Sequence, residues 1–357
     1  MTYPILALVL ALSATPDTTP VLATPDPTLL PIAQVVLDEK KKEIQVDLPG
    51  IPVPMHMGHH GGGGGLPPVV RFEMPVDAAL YGFRVEVVDG QGKALPLELI
   101  HHFNLIDPNH RELFLPIARR VMAAGKETGP QRLPWFLFGV PYPKGTLLVA
   151  TGMLHNPTET DYDDVHMRLV LQYVPATRPW PVFDAMPWQL DVAFPVGDKS
   201  FELPVGESSR SYEAAPSVAG KIVAVGGHVH EMATRIELRD VTQNKVIWST
   251  SPSLDKEKNV VGVPIGKLYG FGTLGYQVRP DHLYRVTVTY NNTTGEPVDA
   301  GGMGVVGGIF VPDRGVKWPG ADKADTLYVA DAEHFLRVQK PKPDSTAVHE
   351  HEHVHEH

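Results

Sequence analysis

Phe83-Arg-Val-Glu-Val-Val88 alternates apolar and polar residues, and the period returns in Leu97-Glu-Leu-Ile100 and Tyr284-Arg-Val-Thr-Val-Thr-Tyr290. Successive strand side chains point to opposite faces, so this alternation marks strands with one face on a core. Leu147-Leu-Val-Ala-Thr-Gly-Met-Leu154 and Met167-Arg-Leu-Val-Leu-Gln-Tyr-Val174 read as buried strands. Trp188–Phe194, Lys221–Val225, Thr234–Leu238 and Lys245–Trp248 continue the series, broken by turns such as Val88-Asp-Gly-Gln-Gly92 and Asn291-Asn-Thr-Thr-Gly295. Many short strands separated by turns predict an all-β chain of two antiparallel, jelly-roll-like β-sandwich domains. One helix is expected, around Arg111–Ala124.

A length of 357 residues suits two domains, and 43% hydrophobic with 20% charged residues suits an ordinary globular core. The Pro/Trp-rich stretch Pro175–Trp188 is the expected boundary, giving sandwiches over 35–178 and 179–338. Residues 1–34 read as a signal-like segment and linker. The apolar run Ile5–Leu12 precedes a cleavage-like Val21-Leu22-Ala23, although no Lys or Arg precedes that run. The chain is therefore expected to be exported, periplasmic or secreted. No apolar run reaches the roughly 18–20 residues of a membrane span. The net charge of −10 argues against nucleic acid as a partner, and Lys40–Lys42 is too short a basic cluster to alter that.

The chain has no cysteine and 17 histidines. That excludes disulfides, zinc ribbons, iron–sulfur clusters, blue copper and cysteine nucleophiles. Histidine concentrates at His101-His102 after one strand, at His155 at the end of another, and at His228-Val-His230 after a third. Met303 lies in the glycine-rich Gly301–Gly308. In His-x-His both imidazoles share a strand face, about 6.5–7 Å apart along the backbone. Adjacent histidines face opposite ways, so His101 and His102 can share one ion only where the strand ends or bulges. Taken singly, each motif is also compatible with a hydrogen-bonded core histidine, and Met commonly fills core gaps.

Several metal and catalytic patterns are absent. A cupin needs a Glu soon after His-x-His, and Thr234-Arg235 stands there. A zincin helix needs His-Glu-x-x-His, and His230-Glu231 is followed by Met232-Ala233-Thr234. A two-His-one-carboxylate site using Glu231 or Glu237 stays open. There is neither a Gly-x-Ser-x-Gly elbow nor a P-loop.

The order His-His, lone His, His-x-His, Met resembles the copper type II, ascorbate-dependent monooxygenases, the family of peptidylglycine α-hydroxylating and dopamine β-monooxygenases. The likeness spans roughly residues 70–315, and includes the strands leading into each motif, as in Leu99-Ile-His-His-Phe-Asn-Leu105, His155-Asn-Pro-Thr158 and Tyr290-Asn-Asn292. It implies two jelly-roll-like domains, each with one copper. The first ion would be held by His101, His102 and His155, and the second by His228, His230 and Met303. The His₂Met set would activate dioxygen, and the all-His set would pass electrons from an ascorbate-like reductant. The substrate would be a small or medium organic molecule. The Arg and Tyr that anchor a peptide carboxylate in the family correspond here to Gly226 and Gly307, so peptide amidation is not expected.

Met55, His56, Met57, His59 and His60 form an accessory Met/His loop followed by Gly61–Gly65. His349, His351, His353, His355 and His357 alternate with Glu and Val in a tail, 339–357, expected to be disordered. The tail reads as a metal-collecting segment, since a purification tag is normally a plain His run. These tracts also suit a non-catalytic, exported copper-binding protein that meets a copper-handling partner. His110, His166, His282 and His334 are left for bland roles.

Overall fold

The computed structural model describes residues 26–57, 68–126, 128–176, 179–194 and 199–337. The signal-like run, His59, His60, Gly61–Gly65 and the tail histidines lie outside the described residues. The expected linker is described from Asp26 and includes a 3-10 turn at Pro27–Leu29, capped by the Asp26 side chain.

Alternation along the chain builds two sandwiches of eight principal strands each. The first comprises β1 (Glu43–Asp47), β2 (Val69–Glu73), β3 (Ala78–Asp89), β4 (Ile100–Arg111), β5 (Ala118–Ala124), β6 (Phe138–Tyr142), β7 (Leu147–Leu154) and β8 (Tyr162–Pro175). Its sheets run β1-β8-β3-β6 and β2-β7-β4-β5. The second comprises β9 (Met186–Asp191), β10 (Gly206–Ala214), β11 (Gly220–Val229), β12 (Ala233–Asp240), β13 (Lys245–Thr250), β14 (Gly266–Lys267), β15 (Tyr284–Asn292) and β16 (Gly304–Pro312). Its sheets run β9-β16-β11-β14 and β10-β15-β12-β13. Counted within each half, both have the order 1-8-3-6 and 2-7-4-5, the paired Greek keys of a jelly roll. The chain is all-β with one α-helix among the described residues.

The halves also share fine detail. After β7, Asn156 donates through Nδ2 to the Thr160 and Val53 carbonyls, and its Oδ1 accepts from the Thr158 N–H and hydroxyl. At the end of β15, Asn292 donates to the Glu296 and Leu203 carbonyls and accepts from the Thr294 N–H and hydroxyl. A bulge sits at the same place in each. His101 is skipped between the pairs Leu154↔Ile100 and Met153↔His102, as Thr234 is between Tyr290↔Ala233 and Thr289↔Arg235. The two sandwiches of the described residues therefore follow one structural plan.

The helix expected over Arg111–Ala124 does not form. The segment is the end of β4, a connecting loop and β5. Pro116 lies in its middle, where it would remove a helical hydrogen bond and clash with the preceding turn. Its apolar residues serve another purpose: Leu113, Phe114, Leu115 and Ile117 are buried in the core of the second sandwich. The Phe114 ring packs 5.6 Å from Trp188 and 5.9 Å from Tyr284. The helix that does form, α1 (Thr326–Arg337), follows the second sandwich in sequence but packs on the first. Tyr328, Ala332 and Phe335, at helical spacing, cover Val69, Ile106 and Val149 on the outer face of the β2-β7-β4-β5 sheet. A bidentate Arg120–Asp331 pair, at 2.6 and 2.7 Å, holds it there.

Polar groups lock the junction. Arg119, 1% exposed, donates to Asp107 and the Tyr142 hydroxyl in the first sandwich and contacts the Met186 sulfur in the second. The fully buried Glu112 carboxylate accepts from the backbone N–H of Arg120, Leu113 and, across the junction, Gln189. Burial pushes its pKa up from 4.5 to about 7, against the pull of these donors and of Arg120 and Arg119.

Two outcomes follow. Phe114→Ala should lower stability by about 3–5 kcal/mol, read as a fall in denaturant midpoint. A carboxyl with a raised folded pKa contributes stability fully below its unfolded value and loses it as pH rises through the folded one. Glu112 should thus make unfolding easier as pH climbs from about 4.5 through about 7. Glu112→Gln, whatever its absolute stability, should flatten the stability–pH profile over that window.

Candidate metal centre

The bulge at His101 resolves the facing problem of adjacent histidines. It lets both imidazoles gather at one end of β4, where His155 follows β7. The His101 ring lies 5.0 Å from His102 and 5.6 Å from His155, centroid to centroid. A metal bound at about 2.0 Å to each of two imidazoles in a tetrahedral arrangement would set their centroids roughly 5 Å apart. His155 is buried, and its Nε2 is hydrogen-bonded to the Glu98 carbonyl. Since a carbonyl only accepts, Nε2 carries the proton and Nδ1 the lone pair. This is how second-sphere carbonyls fix the tautomer of metal-binding histidines. Burial, reinforced by repulsion from the imidazoles of His101, His228 and His334 in their protonated form, pushes the His102 pKa down to about 4. His102 is therefore neutral at neutral pH, the state a ligand requires.

The second set is organised by a tyrosine. His228 and His230 leave the end of β11 with centroids 5.4 Å apart. β11 pairs with β16 as far as Val229↔Gly304, so His230 and Met303 are the residues just beyond the last pair. The fully buried Tyr290 hydroxyl bridges them. It accepts from the Met303 N–H at 2.9 Å and from the His230 N–H at 3.3 Å, and donates to the Met303 carbonyl. One donor and two acceptor sites are thereby used in full. Burial pushes its pKa up to about 12, which keeps the donated proton in place.

Both sets reach the outer faces of their sheets. Phe103 and Leu105 point into the first core, so His102 lies on the outer face of its sheet, the face α1 covers further along. Val225 and Val229 point into the second core, so His228 lies on the outer face of the β9-β16-β11-β14 sheet. Asp191, on the same outer face as His228, has its pKa raised to about 6 by burial, opposed by a hydrogen bond from the Ala193 N–H and by Lys199, Arg210 and His228.

Imidazole and thioether are donor types that copper accepts. The sets are gathered rather than closed: among the described residues, no group of three or more His, Cys, Asp or Glu is already disposed to hold a metal ion. In the accessory loop, His56 pairs with Glu159 at 3.4 Å and Met55 is exposed, but Met57 is buried in the first core. Glu231 caps the Val260 N–H and Glu237 is tied to Arg235 and Arg239, so neither carboxylate is aimed at a shared ion with His228 and His230. The sequence reading missed Tyr290, whose role depends on a contact 13 residues away, and placed His334 among bland residues although α1 brings it near His102. No helix among the described residues is long and apolar enough to cross a membrane.

No protein-family model matches the chain, and no curated protein matches it. Solved structures give distant similarities. A peptide-N(4)-(N-acetyl-β-D-glucosaminyl) asparagine amidase is 8% identical, covering 76% of this chain and 98% of its own, with a TM-score of 0.37. A structure of Sulfolobus turreted icosahedral virus is 11% identical, covering 86% and 97%, at 0.33. The VP2 subviral particle of infectious bursal disease virus is 9% identical, covering 86% and 78%, at 0.25. Similarities of this size assign neither family nor function.

Tyr290→Phe removes the group that links His230 to Met303. Cu(I) competition titration should then find the second set weakened about 10–100-fold, with the first set unchanged.

Proposed function

We propose that this chain is a copper-dependent monooxygenase that hydroxylates an organic substrate. One atom of dioxygen would enter a C–H bond and the other leave as water, with two electrons from an ascorbate-like reductant and two protons from solvent. The observation that carries the reading is the gathering of imidazoles at the sheet ends, His101 lying 5.0 Å from His102 and 5.6 Å from His155, and His228 5.4 Å from His230. His101, His102 and His155 would hold one copper, and His228, His230 and Met303 the other. Bound copper would supply one-electron redox chemistry and dioxygen activation.

The chain's own groups favour that use. His102 offers its lone pair without first losing a proton. His155 is oriented by the Glu98 carbonyl, and Tyr290 holds the backbones of His230 and Met303 in register. The Met303 thioether favours the reduced ion, which imidazole alone does less strongly. Gly226 and Gly307 supply no cation or hydroxyl for a peptide carboxylate, against an amidating activity. Export, from the N-terminal pattern, belongs to the same proposal.

A second reading, an exported protein that buffers or delivers copper, is favoured by one observation. The Met55–Met57 segment is anchored beside the first set, through the Asn156 N–H to the Met57 carbonyl. Metal analysis of untagged protein purified without added metal separates the readings from their failure. Two coppers per chain, falling to one in His228→Ala, are expected. Ascorbate-driven oxygen uptake with a substrate panel, abolished in Met303→Ala, supports the enzyme. Tight Cu(I) binding without oxygen uptake supports the buffer, and zinc or no metal overturns both.

A further inference from the structure

His166 stands on the sheet β1-β8-β3-β6, the one that does not carry His101, His102 and His155. Val165, Met167 and Leu169 alternate into the core, so His166 and Arg168 lie on the outer face. Arg168 is held there by Asp47, through Nε at 2.8 Å and Nη2 at 3.1 Å. His166 lies just beyond the end of β1, and its Nδ1 is 3.0 Å from the Leu48 carbonyl. A carbonyl only accepts, so Nδ1 carries the proton, and neutral His166 presents a lone pair at Nε2. That nitrogen lies 3.0 Å from Asp164 Oδ1. Asp164 sits in a bulge of β8, between the pairs Tyr162↔Val53 and Val165↔Ile51.

A lone pair and a carboxylate repel unless a cation lies beside both. Two other histidines meet an aspartate differently. Asp107 and Asp240 are fully buried, and each accepts a hydrogen bond from Nδ1 of His110 and His282 respectively, at 2.8 Å. His166 uses its Nδ1 on the backbone, and among the described residues no hydrogen bond joins its Nε2 to Asp164. The separation suits a shared ion. Donors about 2.0–2.1 Å from one metal stand roughly 2.8–3.0 Å apart at a right angle, and roughly 3.3–3.4 Å apart at a tetrahedral one. The observed 3.0 Å belongs to the right angle, the geometry of a tetragonal ion.

Two glycines keep the surroundings bare. A β-carbon at Gly50 would overlap both Asp164 Oδ1 and His166 Nε2, and one at Gly90 would overlap Asp164 Oδ2. Neither glycine has a positive φ, so backbone conformation does not require them, and the space they leave is what the pair occupies. Beside Gly90 and His166 a cleft of about 530 Å³ opens, lined also by Gln45, Gln91 and Arg168. In the second sandwich the place of His166, counted from the matching bulges at Tyr81 and Val223, belongs to Met303.

We propose that His166 Nε2 and Asp164 Oδ1 bind a divalent ion of tetragonal preference, Cu(II) or Ni(II), at an open site separate from both donor sets. Water from the cleft fills the remaining positions. Imidazole with carboxylate suits these ions, whereas Mg²⁺ or Ca²⁺ calls for a fuller set of oxygens. Two protein donors hold less firmly than three, so the ion is exchangeable. The proposal is independent of the monooxygenase reading.

The test is a Ni(II) titration of the full-length protein carrying ¹⁵N-labelled histidine, read as broadening of the imidazole signals. The His166 and His110 signals are identified by their loss in His166→Gln and His110→Gln. Nickel should broaden His166 at a concentration that leaves His110 sharp. Asp164→Asn, at an exposed position that does not threaten folding, should raise the nickel concentration needed about tenfold or more. Asp163→Asn, its exposed neighbour, should change nothing. Broadening of His166 that survives unchanged in Asp164→Asn, or no broadening of His166 ahead of His110, leaves an ion pair only and overturns the proposal.

Discussion

The arrangement depends on the burial of one sandwich's loop in the other sandwich's core. Leu113, Phe114, Leu115 and Ile117 leave the first jelly roll and complete the interior of the second. Burying four such side chains contributes on the order of several kcal/mol, far more than a polar domain contact. It fixes which outer faces meet. Arg119, Glu112 and the Arg120–Asp331 pair then set the orientation, because each leaves a costly unsatisfied group if the faces shift.

Duplication adds a second constraint. The halves share strand order, an Asn-x-Thr turn and a bulge, yet their donors occupy different places on that plan. The first half uses the bulge, at His101, where the second has Thr234. The second uses Met303, just before β16, where counting from the matching bulges at Tyr81 and Val223 places His166 in the first. Under the proposed reading, this divergence would give the two similar scaffolds different donor chemistry, all-imidazole in one and thioether-containing in the other.

Most of the strand content was legible in the sequence because alternation is a local signal, but Leu97-Glu-Leu99, which alternates too, is a 3-10 turn leading into β4. The need for a bulge at His101-His102 was legible too, since two adjacent side chains cannot share a strand face. The segment Arg111–Ala124 misled because apolar spacing in a loop that plugs a neighbouring core resembles a helical stripe, and only Pro116 argues otherwise. The helix at Thr326–Arg337 carried no comparable signal, its apolar face being short and interrupted by Asp331 and His334. The hub role of Tyr290 and the packing of His166 and Asp164 over Gly50 and Gly90 could not be read at all. They join segments far apart in the chain, and register is a tertiary property.

The central claim is that one copper is held by imidazole and thioether and the other by imidazole alone. Because the chain has no cysteine, any sulfur bound to copper must come from methionine. X-ray absorption at the copper edge of the reduced, fully loaded protein tests this directly. The account predicts a sulfur scatterer at half occupancy averaged over two ions, absent in Met303→Ala and retained in His155→Ala. A spectrum with no sulfur, or one whose sulfur survives in Met303→Ala, would contradict it.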